Sequence, residues 1–129
     1  MKLLLDTHVL LWWLRDDRRL SQRARTMIAD TRVDVFVSIA SGWELSIKTR
    51  IGKLAELGGP VMREAEEQGF RIIGVTAGHL SALEGLPRIA GHGDPFDLLL
   101  LAQALVGEAA LMTADRAMPR YGVPCIGVT

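Results

Sequence analysis

The chain has 129 residues, of which 49% are hydrophobic and only 5% aromatic, so a single domain over residues 1–129 with one aliphatic core is expected. Fifteen basic and fifteen acidic side chains cancel, so net charge favours neither a polyanionic partner nor its absence. The lone Cys125 excludes a disulfide framework and fits a reducing, cytoplasmic compartment, and no apolar run is long enough to span a bilayer.

"KLLLD" (Lys2 to Asp6) is an apolar run of the length expected for a strand buried on both faces. Its acid at position 6 interrupts any signal-peptide pattern. Val9 to Leu14 reads as a short helix that is apolar all round, either sandwiched in the fold or carrying Trp12 or Trp13 to an interface. Six arginines and three aspartates follow between Arg15 and Arg32, either a surface for phosphates or an acidic protein, or a solvated face. "SQRARTMIAD" starts a helix at the N-cap residue Ser21, and "DVFVS" (Asp34 to Ser38) is a second strand. The helix after it contains "SGWELSIK", with Glu44 read in its first turn and Ser41-x-x-Glu44 matching a capping pattern. A further helix is expected from Pro60 to Gly69, a third strand over "RIIGV" (Arg71 to Val75), and a helix in "TAGHLSALEGL".

"HGDPFDLLLLAQALVG" places two acids before an apolar stretch. Asp94 is the N-cap candidate, Pro95 the first helical residue and Gly107 the stop. A helix apolar nearly all round is a buried one. "ALMT" (Ala110 to Thr113) and "CIGV" (Cys125 to Val128) complete five strands. Strands that alternate with helices imply a parallel sheet covered on both faces, an α/β/α architecture.

Asp6 ends the first strand and Asp115 follows the fourth, while Glu44 and Asp97 lie near helix starts that face the same sheet edge. Ligand crevices of open parallel sheets form at that edge. Each acid alone is explained by helix capping or by the helix dipole. Together, buried carboxylates repel and require pairing, protonation or a cation. An all-oxygen set with His8, His79 and His92 scattered in sequence favours magnesium or manganese over zinc. Such a site suits phosphodiester hydrolysis by a metal-activated water. Lys48, one turn after Glu44, either pairs with it or lies near a scissile phosphate.

"LLLDTHVLLWWL", "SIASGWELSIKTRIGKL", "HGDPFDLLLLAQAL" and "LMTADRAMPRYGV" together resemble, in order and across the chain, the PIN-domain ribonucleases, specifically the VapC toxins of type II toxin–antitoxin systems. The resemblance implies a three-layer α/β/α PIN-like fold with a five-stranded parallel sheet in the order 3-2-1-4-5. It implies a Mg²⁺- or Mn²⁺-dependent endoribonuclease with a catalytic, metal-binding tetrad at Asp6, Glu44, Asp97 and Asp115. Supporting roles then fall to Thr113, to Asp94 as cap or outer-shell group, and to His8. An RNA substrate, a cognate antitoxin and a homodimer are the implied partners. The chain departs from the pattern at Leu98, where many relatives carry a basic residue.

A phosphatase or phosphoacceptor domain would want a second acid two residues after its nucleophilic aspartate, where "DTH" supplies His8. No glycine-rich nucleotide loop is present. The alternative from another class is a catalytically silent PIN-like scaffold that binds an antitoxin or RNA.

Overall fold

The computed structural model describes residues 1–129. In chain order the elements are β1 (Lys2–Leu5), α1 (Thr7–Leu14), α2 (Gln22–Ala29), β2 (Asp34–Ser38), α3 (Ile39–Arg50), α4 (Gly58–Glu67), β3 (Arg71–Ile73), α5 (Ala77–Glu84), α6 (Pro95–Gly107), β4 (Ala110–Thr113), a 3₁₀ turn (Met118–Tyr121) and β5 (Cys125–Gly127). The strands form one parallel sheet in the order β3-β2-β1-β4-β5. Strand order reverses at β1 and β4, whose outgoing connections leave to opposite sides, and a crevice opens there at the carboxyl ends.

Alternation along the strands divides the core in two. Leu3, Leu5, Val35, Val37 and Met112 face one side, where they pack with Val9, Leu10, Ala24, Ile28, Leu45, Val61 and Ala65 from α1 to α4. Leu4 and Leu111 face the other, with Leu100, Leu101 and Ala104 of α6 and Met118 and Tyr121 of the 3₁₀ turn. Burial on both faces is why these strands read as continuous apolar runs. Leu99 to Ala104 are all buried, so the apolar character of α6 reflects its place in the core.

Several helix ends follow their local chemistry. Ser21 caps α2 by accepting from the Ala24 amide. Thr76 and His79 form a reciprocal capping box at α5, and Asp94 accepts from the Phe96 and Asp97 amides at α6. Other boundaries differ from expectation. Ser38, not Ser41, caps α3 by accepting from the Ala40 amide, because the helix starts directly at the end of β2; Glu44 therefore lies beyond the first turn. Helix α4 begins at Gly58, two residues before Pro60, whose missing N–H is tolerated in the first turn. Helix α6 includes Gly107, and Glu108 takes the left-handed cap with φ 52°. Strand β3 ends at Ile73.

Helices α3 and α4 approach closely at two glycines. A methyl group on Gly58 would stand 2.0 Å from the Gly42 carbonyl oxygen and 2.3 Å from Ser46 Oγ. This contact lets α4 pack closely on α3, the helix that carries Glu44.

The arginines between positions 15 and 32 resolve mainly as a self-paired surface. Arg15 binds Glu56 and Glu64, Arg19 binds Asp17, Arg25 binds Asp16 and Arg32 binds Asp30. The apolar α1 is held within the fold: Val9, Leu10 and Leu11 are buried, and Trp13 packs on Phe70 while donating to Gln68. No helix is long and apolar enough to cross a membrane.

Candidate active site

Asp6 is the residue between β1 and α1, and this position dictates its surroundings. Its Oδ1 accepts the Thr7 amide at 2.7 Å, as an N-cap should, while its Oδ2 accepts the Thr113 hydroxyl from the end of β4 at 2.6 Å. Pairing of β1 with β4 brings these residues together from 107 positions apart. Thr113 Oγ1 also accepts the Asp115 amide at 3.0 Å, and Asp115 Oδ1 accepts the Ala117 amide at 2.8 Å. A single hydroxyl thus fixes one acid directly and another through its backbone.

Glu44 enters from α3 and is 5% exposed. Its Oε1 stands 2.7 Å from Thr7 Oγ1, which lies 2.8 Å from Ser41 Oγ. Thr7 has one proton to give; it goes to the carboxylate, which leaves Ser41 as the donor to Thr7. Glu44 Oε2 accepts from Lys48 Nζ at 2.8 Å. Of the two readings of Lys48, the ion pair along one helix face is the one observed.

Asp97 comes from the first turn of α6, with Asp94 as its cap. Its Oδ2 lies 3.4 Å from His92 Nε2, which is also 3.2 Å from Asp115 Oδ2. The other imidazole nitrogen, Nδ1, is 2.7 Å from the Tyr121 hydroxyl. His92, Asp97 and Asp115 offer ligand atoms that all lie within 4.8 Å of one another. Read in sequence His92 was one of three scattered histidines; the signal that marks it is its place two residues before the Asp94 cap.

Asp6, Glu44, Asp97 and Asp115 all line one cavity of about 470 Å³, together with His8, Asp94, Lys48, Trp12 and Arg19. His8 and Arg19 are exposed, and the Arg19 guanidinium lies 5.1 Å from the Trp12 ring centre. His79 is elsewhere, buried in its capping box.

The cavity is electrostatically loaded. Burial pushes the Asp6 carboxyl above its usual range, opposed by the hydrogen bonds from Thr113 and Thr7. Burial, then the charges of Asp6, Asp94 and Glu44, push Asp97 up to about 7 against the counteracting effect of His92. The hydrogen bond to Glu44 raises Lys48. Carboxylates held in this state favour a bound proton or a bound cation over bare charge. The donor set is mainly carboxylate oxygen, which fits a hard divalent ion, and the adjacent His92 nitrogen widens the range of ions accommodated.

Comparisons with known proteins agree with this architecture. The PIN domain family model matches residues 3–124. Ribonuclease VapC22 of Mycobacterium tuberculosis is 29% identical over 123 residues, covering 94% of this chain and 92% of that protein. Among solved structures, VapBC2 from Rickettsia felis bound to a DNA fragment from their promoter superposes with a TM-score of 0.73 at 16% identity, covering 100% of both chains. A toxin–antitoxin complex from Klebsiella pneumoniae gives a TM-score of 0.62 at 19% identity, covering 95% of this chain and 94% of that one. At such low identity these structures speak for the fold, and with the family match over nearly its whole length the chain belongs to the PIN domain family.

Proposed function

We propose that this protein is a magnesium- or manganese-dependent endoribonuclease that serves as the toxin of a toxin–antitoxin pair. The observation that carries the proposal is the convergence on one cavity of Asp6 from the end of β1, Glu44 from α3, Asp97 from α6 and Asp115 after β4. These four side chains would hold the ion, which when bound supplies the positive charge that polarises a phosphate oxygen and water. Thr113 and Thr7 orient Asp6, Thr7 and Lys48 orient Glu44, and Asp94 fixes the helix turn that presents Asp97. His92 bridges Asp97 and Asp115 and is placed to exchange protons with either. The exposed His8 and Arg19 sit at the cavity wall, where a polyanionic RNA would pass. The relative named a ribonuclease supports RNA as the substrate class.

The proposed protein partners are a cognate antitoxin and a second copy of the chain. The Klebsiella pneumoniae complex supports the first. Ile39, Trp43 and Ile47 on α3 and Ile51 at its C-cap, exposed at four-residue spacing, supply an apolar ridge suited to a protein contact.

Cleavage of a defined RNA with Mg²⁺, with Mn²⁺ and with EDTA, in the parent protein and in Asp6→Asn and Asp97→Asn, tests the proposal. Loss of about 100-fold or more in rate is expected on chelation and in both variants, since even groups that merely support metal ligands cost about 10- to 100-fold. Cleavage that persists in EDTA or in Asp6→Asn overturns the metal-dependent site. A pure, metal-loaded parent that leaves RNA intact establishes the silent-scaffold alternative.

A further inference from the structure

Besides its acids, the cavity is lined by three flat side chains that stand next to one another: His8, Trp12 and Arg19. His8 and Trp12 lie one turn apart on α1, with ring centres 6.3 Å apart. The Arg19 guanidinium lies over the Trp12 ring, 5.1 Å from its centre. Lys48, the other basic residue of the lining, is committed to Glu44. The Arg19 side chain instead donates from Nε and Nη2 to the two carboxylate oxygens of Asp17, at 3.1 and 2.8 Å.

Such paired bonds run in the guanidinium plane and leave both of its faces free of hydrogen bonds. One face covers Trp12; because 68% of the Arg19 side chain is exposed, the other is turned to solvent. Asp17 is itself held from three sides. Its amide donates to the Trp12 carbonyl at 2.8 Å, its carboxylate also accepts the Arg19 amide at 2.9 Å, and its carbonyl accepts from Arg25, which binds Asp16 as well. The plane is therefore fixed before any ligand arrives, which lowers the cost of ordering it. Pairing with Asp17 also cancels the charge of Arg19, so what the residue offers is a flat surface more than a free cation.

An RNA strand brings two chemistries to a site, charged phosphates and flat bases. The acids with their ion serve the phosphate, and unpaired bases stack on aromatic rings and on guanidinium planes. We propose that Arg19, backed by Trp12 and flanked by His8, is a stacking platform for an unpaired nucleobase beside the phosphate that is cut. The inference rests on the nuclease reading and adds to it the side chains that select an unpaired nucleotide, since a base inside a duplex already has neighbours on both faces.

The test is an anisotropy titration of the full chain, carrying Asp6→Asn to prevent cleavage, with fluorescein-labelled decauridylate and with the same ribose–phosphate decamer lacking its bases, at several salt concentrations. Decauridylate should bind about 5-fold or more tighter than the base-free strand, the effect of one stacked base. Arg19→Ala and Arg19→Lys should both erase that preference, because lysine keeps the charge and loses the plane, and Trp12→Ala should do the same. The slope of log affinity against log salt should stay unchanged in Arg19→Ala; a fall of about 0.7, the contribution of one phosphate contact on a single strand, would make Arg19 a phosphate clamp and overturn the proposal. Equal binding of the two decamers, or an Arg19→Lys chain that keeps the preference, overturns it too. If RNA is still cleaved by the parent protein in either case, the platform alone fails; if neither decamer binds and RNA stays intact, the nuclease reading fails with it. Should Trp12→Ala fail to fold, the exposed Arg19 variants decide.

Discussion

The Thr113 hydroxyl donates to Asp6 Oδ2 at 2.6 Å and accepts the Asp115 amide at 3.0 Å, so one side chain spaces two acids on neighbouring strand ends. Thr113→Val keeps the shape and β-branching and removes both bonds. Stability should fall by about 1–3 kcal/mol, the cost of leaving buried groups unmatched, and RNA cleavage by about 10- to 100-fold, as for other groups that orient metal ligands. Urea melts and cleavage rates measure the two effects, and Thr113→Ser should restore most of each. Unchanged activity in the valine variant would show that Asp6 needs no such positioning.

The elevated Asp97 carboxyl makes metal-free stability depend on pH. Folding raises this group from an ordinary 3.8 to about 7, so the native state holds its proton more tightly than the unfolded chain does. The resulting stabilisation is complete below about pH 4 and is lost as pH rises through 7. In EDTA, the Asp97 contribution to Tm should therefore decline between pH 4 and 8, and Asp97→Asn should flatten that decline. Added Mg²⁺ or Mn²⁺ should raise Tm most at the alkaline end, where the carboxylate is bare. An equally steep decline in the asparagine variant would place the cause elsewhere.

His92 stands between Asp97 and Asp115 with Tyr121 behind it. Imidazole favours zinc and nickel, whereas carboxylates serve magnesium and manganese. His92→Ala should reduce affinity for Zn²⁺ by about tenfold or more while changing that for Mg²⁺ less, the ordering expected from ligand preference. Isothermal titration with each ion reads the ratio; equal losses would make His92 a scaffold for the acids only.

The contact between α3 and α4 predicts unequal glycine substitutions. Gly58→Ala drives a methyl group to 2.0 Å from a backbone oxygen, and a loss of about 3 kcal/mol is expected, the upper range for overpacking. Gly42→Ala meets the flexible Met62 side chain at 2.8 Å, and alanine is favoured over glycine in a helix by about 1 kcal/mol. Its net effect should stay within about 1 kcal/mol of the parent. Urea denaturation of both variants distinguishes them, and a reversed order would refute this packing as the determinant.

Local chemistry made much of this architecture legible from residues alone. Continuous apolar runs identified doubly covered strands, and Ser21 and Asp94 announced their helices because a side chain and a backbone amide two or three residues away are all that a cap needs. The start of α3 was misplaced for the converse reason: Ser41 carries a capping pattern, but Ser38 at the end of β2 meets the free amides first. The acids could be nominated in sequence, since each sits at a strand end or near a helix start on the same edge. Tertiary structure decided what that nomination could not. It tied Thr7 to Glu44, joined Thr113 to Asp6 across the β1–β4 pair, and brought His92 between Asp97 and Asp115. It also left the buried Gln103 with an unmatched side-chain oxygen. Caps and periodicity are short-range and are written in adjacent residues, whereas hydrogen bonds across 107 positions, desolvation and unmatched buried atoms arise only when distant segments pack together.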